Sequence, residues 1–131
     1  MNLDQFLNAY AVAALWSSHG PDSGPYKCEN LDDLFDVDDL APETLASMRE
    51  DCADFIKSNA ADLALYAEKR GNEQWSSAEL AGHDFWLTRN GHGCGFWDRG
   101  LGKLGDRLTK AAKVYGGVSL YPGDDGKVYG G

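Results

Sequence analysis

"AGHDFWLTRNGHGCGFWDRG", residues 81–100, decides how this chain is read. Its twenty positions hold four large aromatics, two histidines, a cysteine and five glycines. Asn90-Gly91 stands at the centre, and Asn-Gly is the strongest short hairpin signal because both residues accept positive φ. The expectation is a pair of strands at about 84–89 and 94–99. Gly91 and Gly93 then serve the turn, and Gly95 lets something approach the backbone closely. Alternation places Phe85, Leu87 and Arg89 on one face and Asp84, Trp86 and Thr88 on the other. On the partner strand Cys94, Phe96 and Asp98 oppose Gly95, Trp97 and Arg99. Both faces thus carry a large aromatic from each strand, which is not how a sheet with one wet face is written. One face meets helices. The other is covered by the rest of the chain or offered to a partner, with Trp86 and Trp97 as apolar anchors.

Working outward, "WSSAEL" carries a capping box from Ser76 to Glu79, with Trp75 and Leu80 placed as a hydrophobic staple. A short helix is expected from Ser77 to about Gly82 or His83. Downstream, Leu101, Leu104, Leu108, Ala111, Ala112 and Tyr115 form the apolar stripe of a helix over about 102–115, with Lys103, Arg107 and Lys110 opposite. Gly116-Gly117 stops it, and "VSLYPGDDGKVYG" reads as a second hairpin turning at "GDDG".

Upstream, Leu3, Phe6, Leu7, Tyr10, Ala14 and Leu15 share a helical face, with Asn2 as cap. That segment has no basic region before it and is interrupted by Asp4, so it does not read as a signal peptide, and it is too short to span a bilayer. Gly20-Pro21 and Gly24-Pro25 make residues 17–30 a loop. Pro42 and Glu43 open a helix that runs to about Lys57, with Leu45, Met48, Cys52 and Phe55 inward. A further helix ends at Lys69 before Gly71. The expected fold is therefore α+β, in one domain spanning 1–131. N-terminal helices pack on a small antiparallel sheet built from two C-terminal hairpins that flank a helix.

The 131 residues carry 43 % hydrophobic and 25 % charged side chains, ordinary globular values. Net charge is −9, and it is lopsided. Residues 1–70 hold 14 acids against 5 bases, a balance of −9, and residues 71–131 hold 7 of each, a balance of zero. An acidic lobe repels nucleic acid and anionic membranes and attracts basic protein surfaces. Three cysteines without a CxxC spacing are a poor disulfide framework and suggest a reducing compartment.

The run "GHDFWLTRNGHG", then "GFWDRG", then "GDRLTKAAKVYG" and "LYPGDDGKVY", resembles a family of small proteins encoded by bacteriophages and prophages. The upstream "FDVDDLAPETLASMREDCADFI" is similar to the segment those proteins carry before it. The resemblance covers roughly residues 34–130. It implies a phage accessory protein acting in the cytoplasm of a bacterial host. Small phage accessory proteins often bind and disable host machinery, including restriction and CRISPR systems. No catalytic residues carry over. Cys94 stands where the family pattern has a small residue, which counts against a ligand role for it.

Four chemistries compete for these residues. His83, Asp84, His92, Cys94 and Asp98 offer ligand types for a metal or catalytic centre, but paired short spacings from two elements are missing. No phosphate loop or hydrolase motif is present, so no cofactor is implied. "DDLFDVDD" is dense in oxygen ligands but lacks the EF-hand spacing, its central Gly and its terminal Glu. Trp86, Trp97, Arg89 and Arg99 are the types that stack on bases, yet a charge of −9 opposes direct nucleic-acid binding. The fourth reading is an acidic decoy. Glu29, Asp32, Asp33, Asp36, Asp38, Asp39 and Glu43 crowd fifteen positions, and Glu50, Asp51 and Asp54 follow. A row of carboxylates stands in for backbone phosphates and occupies a basic groove.

The reading favoured by charge and resemblance is a non-enzymatic inhibitor of a bacterial host protein or ribonucleoprotein with a basic nucleic-acid-binding groove. Its expected contacts are Asp32, Asp33, Asp36, Asp38, Asp39, Glu43, Glu50, Asp51, Trp86 and Trp97, with no direct nucleic acid and no membrane involved. The alternative is a small-ligand or nucleotide-binding protein, or a metal-dependent enzyme, using His83, His92 and Asp98.

Overall fold

The structure is a computed structural model that describes residues 1–92 and 95–130. Five helices carry it: α1 (Leu3–Ser17), α2 (Pro42–Ser58), α3 (Ala60–Lys69), α4 (Ser77–Arg89) and α5 (Lys103–Lys113). A two-stranded antiparallel sheet, β1 (Leu120–Pro122) with β2 (Val128–Gly130), closes the chain. Short 3-10 turns occupy Leu31–Asp33, Val37–Asp39 and Phe96–Asp98. The α+β class stands, with the helices dominant.

Most element starts follow from local chemistry. The Asn2 side chain accepts from the Gln5 amide at 2.9 Å and caps α1. Pro42 opens α2 at a position that needs no amide donor. Ser76 and Glu79 form the reciprocal capping box of α4, at 3.2 and 3.1 Å.

The first hairpin does not form. Residues 84–89 are the second half of α4, which runs past Gly82 and His83 to Arg89. Asn90-Gly91 is a helix stop instead of a hairpin turn. Gly91 sits at φ +71°, its amide donates to the Thr88 carbonyl at 3.1 Å, and the His92 amide donates to the Leu87 carbonyl at 3.0 Å. These two bonds are the Schellman closure of a helix, which asks for the same left-handed glycine that a hairpin does. Beyond it, Phe96–Asp98 make a 3-10 turn, and the Phe96 amide donates to Thr88 Oγ1 at 3.1 Å.

The doubled aromatic faces find their reason here. Asp84 through Arg89 are all buried, as expected for a helix wrapped by neighbours on every side. Helices α1, α3 and α5 and the 96–98 turn all touch α4. Phe85 is the hub: its ring lies 4.1 Å from Phe55, 5.2 Å from Tyr115, 5.4 Å from Tyr10 and 6.0 Å from Phe6. Phe96 extends the cluster toward Phe55 and Tyr66, at 5.9 and 5.6 Å.

The remaining elements frame this centre. Leu104, Leu108 and Ala112 face inward on α5, while Lys103, Arg107 and Lys110 stay exposed, as their periodicity requires. The second hairpin forms with Tyr121 opposite Tyr129. Leu120 and Val128 point into the core. A parallel bridge joins Leu40 to Val128, and the Ala41 amide donates to the Val128 carbonyl at 2.9 Å. The sheet is thus a peripheral clasp on the start of α2 and not a platform for the helices. Among the described residues, no helix is long and apolar enough to cross a membrane.

One contact sets how closely α1 and α4 approach. A Cβ on Gly82 would lie 2.1 Å from the Phe6 carbonyl oxygen. Gly82→Ala gains helix propensity but forces two backbones apart, so a net loss of about 2 kcal/mol is expected in urea denaturation. An unchanged midpoint would contradict this packing.

Candidate interaction surface

The acidic run lies outside, but its carboxylates are not equivalent. Asp33 accepts from the Asn30 amide at 3.1 Å, Asp36 from the Asp38 amide at 2.9 Å, and Asp39 from the Asp36 amide at 2.9 Å. Those three shape the two 3-10 turns, because aspartate competes well for local backbone donors. Asp32, Asp38, Glu43 and Glu50 are exposed and have no side-chain hydrogen bond or ion pair among the described residues. Seven- and four-residue spacing places Glu43, Glu50 and Asp54 on one flank of α2.

Two acids of that helix turn to structural use. Asp54 accepts a hydrogen bond from the Tyr115 hydroxyl. Asp51 pairs with Arg89 at 2.8 Å, so it is removed from the free contact set. Arg89 gathers four segments of chain. Its Nη1 donates to Asp51 and to the Tyr10 hydroxyl, at 2.8 and 3.0 Å. Its Nε and Nη2 donate to the Gly116 and Tyr115 carbonyls, at 2.8 and 2.9 Å. Burial works against this charge, yet Tyr10 and Asp51 outweigh it and hold the guanidinium above the ordinary arginine pKa. The same burial pushes the Tyr10 hydroxyl and the Cys52 thiol well up.

A second buried polar centre joins α3, α4 and the segment after it. Asp84 accepts from the Tyr66 hydroxyl at 2.8 Å and from Arg99 Nη2 and Nε at 2.8 and 3.1 Å. Burial, and then Asp84, raise the Tyr66 pKa. Asp84 thus ties Tyr66 of α3 and Arg99 to α4, which reads as a structural clamp.

Trp86 was expected on a sheet face open to a partner. It is 1 % exposed, because a helix sends it into the core, where Tyr10 meets its ring edge-on at 5.3 Å. Its indole N–H donates to Ser17 Oγ at 2.7 Å. Trp97 is 39 % exposed, with Lys113 Nζ 5.7 Å from its ring. Trp97 and Trp86 therefore share no common surface strip of the kind a hairpin would give.

His83, Asp98 and His92 fall in three settings. His83 lies against the Trp16 ring at 5.9 Å. Burial lowers its pKa, with Asp84 opposing in part. Asp98 is exposed in the 96–98 turn. His92 lines an open cleft of about 350 Å³ with Ser17, His19, Asn90 and Ser119. Cys94 lies outside the described residues. Among the described residues, no three His, Cys, Asp or Glu side chains come together in a group that could hold a metal ion.

Comparison of the chain with family models, with curated protein sequences and with solved structures returned no match.

Two predictions follow from the polar centres. Arg89→Met leaves Asp51 and two carbonyls short of a donor and should cost about 3–5 kcal/mol. Arg107, which pairs with Asp62 at 2.9 Å on the surface, should cost far less when changed to Ala, because water screens an exposed pair. Equal losses in urea titrations would overturn the ranking. For His83 the folded pKa is depressed, so the unfolded chain takes up a proton first as pH falls through about 6.5. Stability contributed by neutral His83 is present above that value and lost below it. His83→Gln should therefore lose less stability than the parent on going from about pH 7 to about pH 5. Parallel pH curves would remove His83 as a contributor.

Proposed function

We propose that this protein is a non-enzymatic, phage-encoded inhibitor that occupies the basic nucleic-acid-binding groove of a bacterial host protein or ribonucleoprotein. Its acidic surface takes the place of backbone phosphates. The observation that carries this reading is the set of unengaged carboxylates, Asp32, Asp38, Glu43 and Glu50, exposed on the 3-10 turns and α2. Asp51, Asp54 and Asp84 are matched to partners within the protein, whereas these four are left to water. Carboxylates with no intramolecular partner keep their full charge for a cationic surface, and complementary charge speeds encounter and makes binding weaken in salt. The rest of the reading rests on the resemblance to phage proteins.

Two expected contacts change. Asp51 and Trp86 are part of the frame and are not offered as contacts. A small-ligand reading draws on the cleft that holds His19 and His92. Its size is at the lower end for a metabolite pocket.

The test is affinity capture from bacterial lysate at low and high salt. The parent should retain nucleic-acid-binding proteins that are released by salt and by competing heparin. The triple variant Asp32→Lys/Asp38→Lys/Glu50→Lys should lose them, and His92→Ala should keep them. Capture that survives both salt and the triple reversal would rule out the acidic surface as the contact.

A further inference from the structure

The C-terminal hairpin has two faces. Leu120 and Val128 enter the core, and the cross-strand pair Tyr121 and Tyr129 points away. The two tyrosine rings are stacked, 6.0 Å apart and 24° from parallel, and Tyr121 is 54 % exposed. Tyr121 is the open member of the pair; Tyr129 is half-buried, with Gly123 against its ring. The cross-strand stacking itself steadies the hairpin, and it leaves the open Tyr121 ring available to a partner.

The surroundings of the pair are acidic. Tyr129 donates to Asp125 Oδ2 at 2.6 Å, so one carboxylate is fixed against the ring edge. Asp124 is exposed in the same turn. Glu43 stands two residues after Ala41, whose amide donates to the carbonyl of Val128, the residue before Tyr129. The Leu40–Val128 bridge places Asp38 and Asp39 immediately before the residue that pairs with β2. Lys127 is the one cation in the turn, and its amide is held by Asp125 at 3.1 Å. The aromatic pair thus continues the carboxylate surface of the 3-10 turns and α2.

Flat aromatic rings bordered by carboxylates suit one kind of side chain. A guanidinium stacks on a tyrosine face through its planar, weakly hydrated surface and donates two hydrogen bonds to a carboxylate at its edge. An ammonium does the second poorly and the first less well. We propose that Tyr121 and Tyr129, with Asp124, Asp125 and Glu43, form the anchor for an arginine-bearing basic segment of the partner protein. This inference rests on the acidic-binder reading above and supplies the apolar anchor that Trp86 does not provide.

Dye-labelled hepta-arginine and hepta-lysine peptides separate the terms by fluorescence anisotropy at low salt. The parent should bind hepta-arginine about threefold or more tighter than hepta-lysine. Tyr121→Ser should abolish that preference while the circular dichroism spectrum stays unchanged. The Tyr121 side chain is 54 % exposed and, among the described residues, makes a ring contact with Tyr129 and no side-chain hydrogen bond, so its loss should leave the helical core intact. Trp16→Ala, an exposed aromatic on another element, should leave the preference intact. If Tyr121→Ser keeps the preference while Asp32→Lys/Asp38→Lys/Glu50→Lys loses all binding, the hairpin anchor is wrong and the acidic reading survives. If the preference disappears with Tyr121→Ser but the triple reversal binds like the parent, the anchor stands and the wider acidic surface fails. No binding of either peptide would overturn both.

Discussion

A guanidinium buried among aromatic rings organises this molecule. Arg89 is 7 % exposed and uses three nitrogens to reach α1, α2 and the turn after α5. A cation taken from water must find a counter-charge and fill its donor positions, or the fold pays several kcal/mol. That demand fixes the last turn of α4 against Tyr10 and Asp51 and brings Gly116 and Tyr115 in from the far end of α5. The rings of Phe85 and Tyr115 lie 5.7 and 5.6 Å from the guanidinium carbon, so the charge also anchors the aromatic cluster. Placement of α2 follows, and with it the direction in which its acidic flank faces.

The polar interior and the acidic exterior divide the carboxylates between two tasks. Asp51, Asp54 and Asp84 are matched to Arg89, Tyr115 and Arg99 or Tyr66, and hold helices in register. Asp33, Asp36 and Asp39 shape backbone turns. Asp32, Asp38, Glu43 and Glu50 remain exposed to solvent with neither task. A charge of −9 spread evenly would only keep the protein soluble. Those four carboxylates sit on the 3-10 turns and one flank of α2, beside the C-terminal hairpin, while Asp22, Glu68, Glu73 and Asp106 are equally exposed on other parts of the surface. Surface and frame are therefore separable by mutation.

Much of the helical frame was legible from short-range chemistry. Asn2, Pro42, and the Ser76–Glu79 box each mark a helix start that needs only local donors and acceptors. The amphipathic stripe of α5 and the "GDDG" hairpin were equally plain. Residues 84–99 misled for a physical reason. A helix buried on all sides has no polar face, so its 3.6-residue period vanishes, and Phe, Trp and Thr then speak for strand. Asn-Gly also serves two geometries with one requirement for positive φ. Gly82 reads as the stop of the helix that the capping box opens, but it serves the close approach of α4 to Phe6, and the stop falls at Asn90-Gly91. In the candidate surface, sequence marked the carboxylates but could not sort them. Asp51 and Glu50 are neighbours in the chain, yet the rotation of about 100° between successive helix positions sends one to Arg89 and the other to water.

The account stands on α4 continuing through the aromatic run. Backbone chemical shifts measure this directly. Cα shifts of residues 84–89 displaced downfield of random-coil values, continuous with residues 77–83, are the predicted result. Upfield displacement over 84–89, the mark of extended chain, would contradict it and would return Trp86 to the surface.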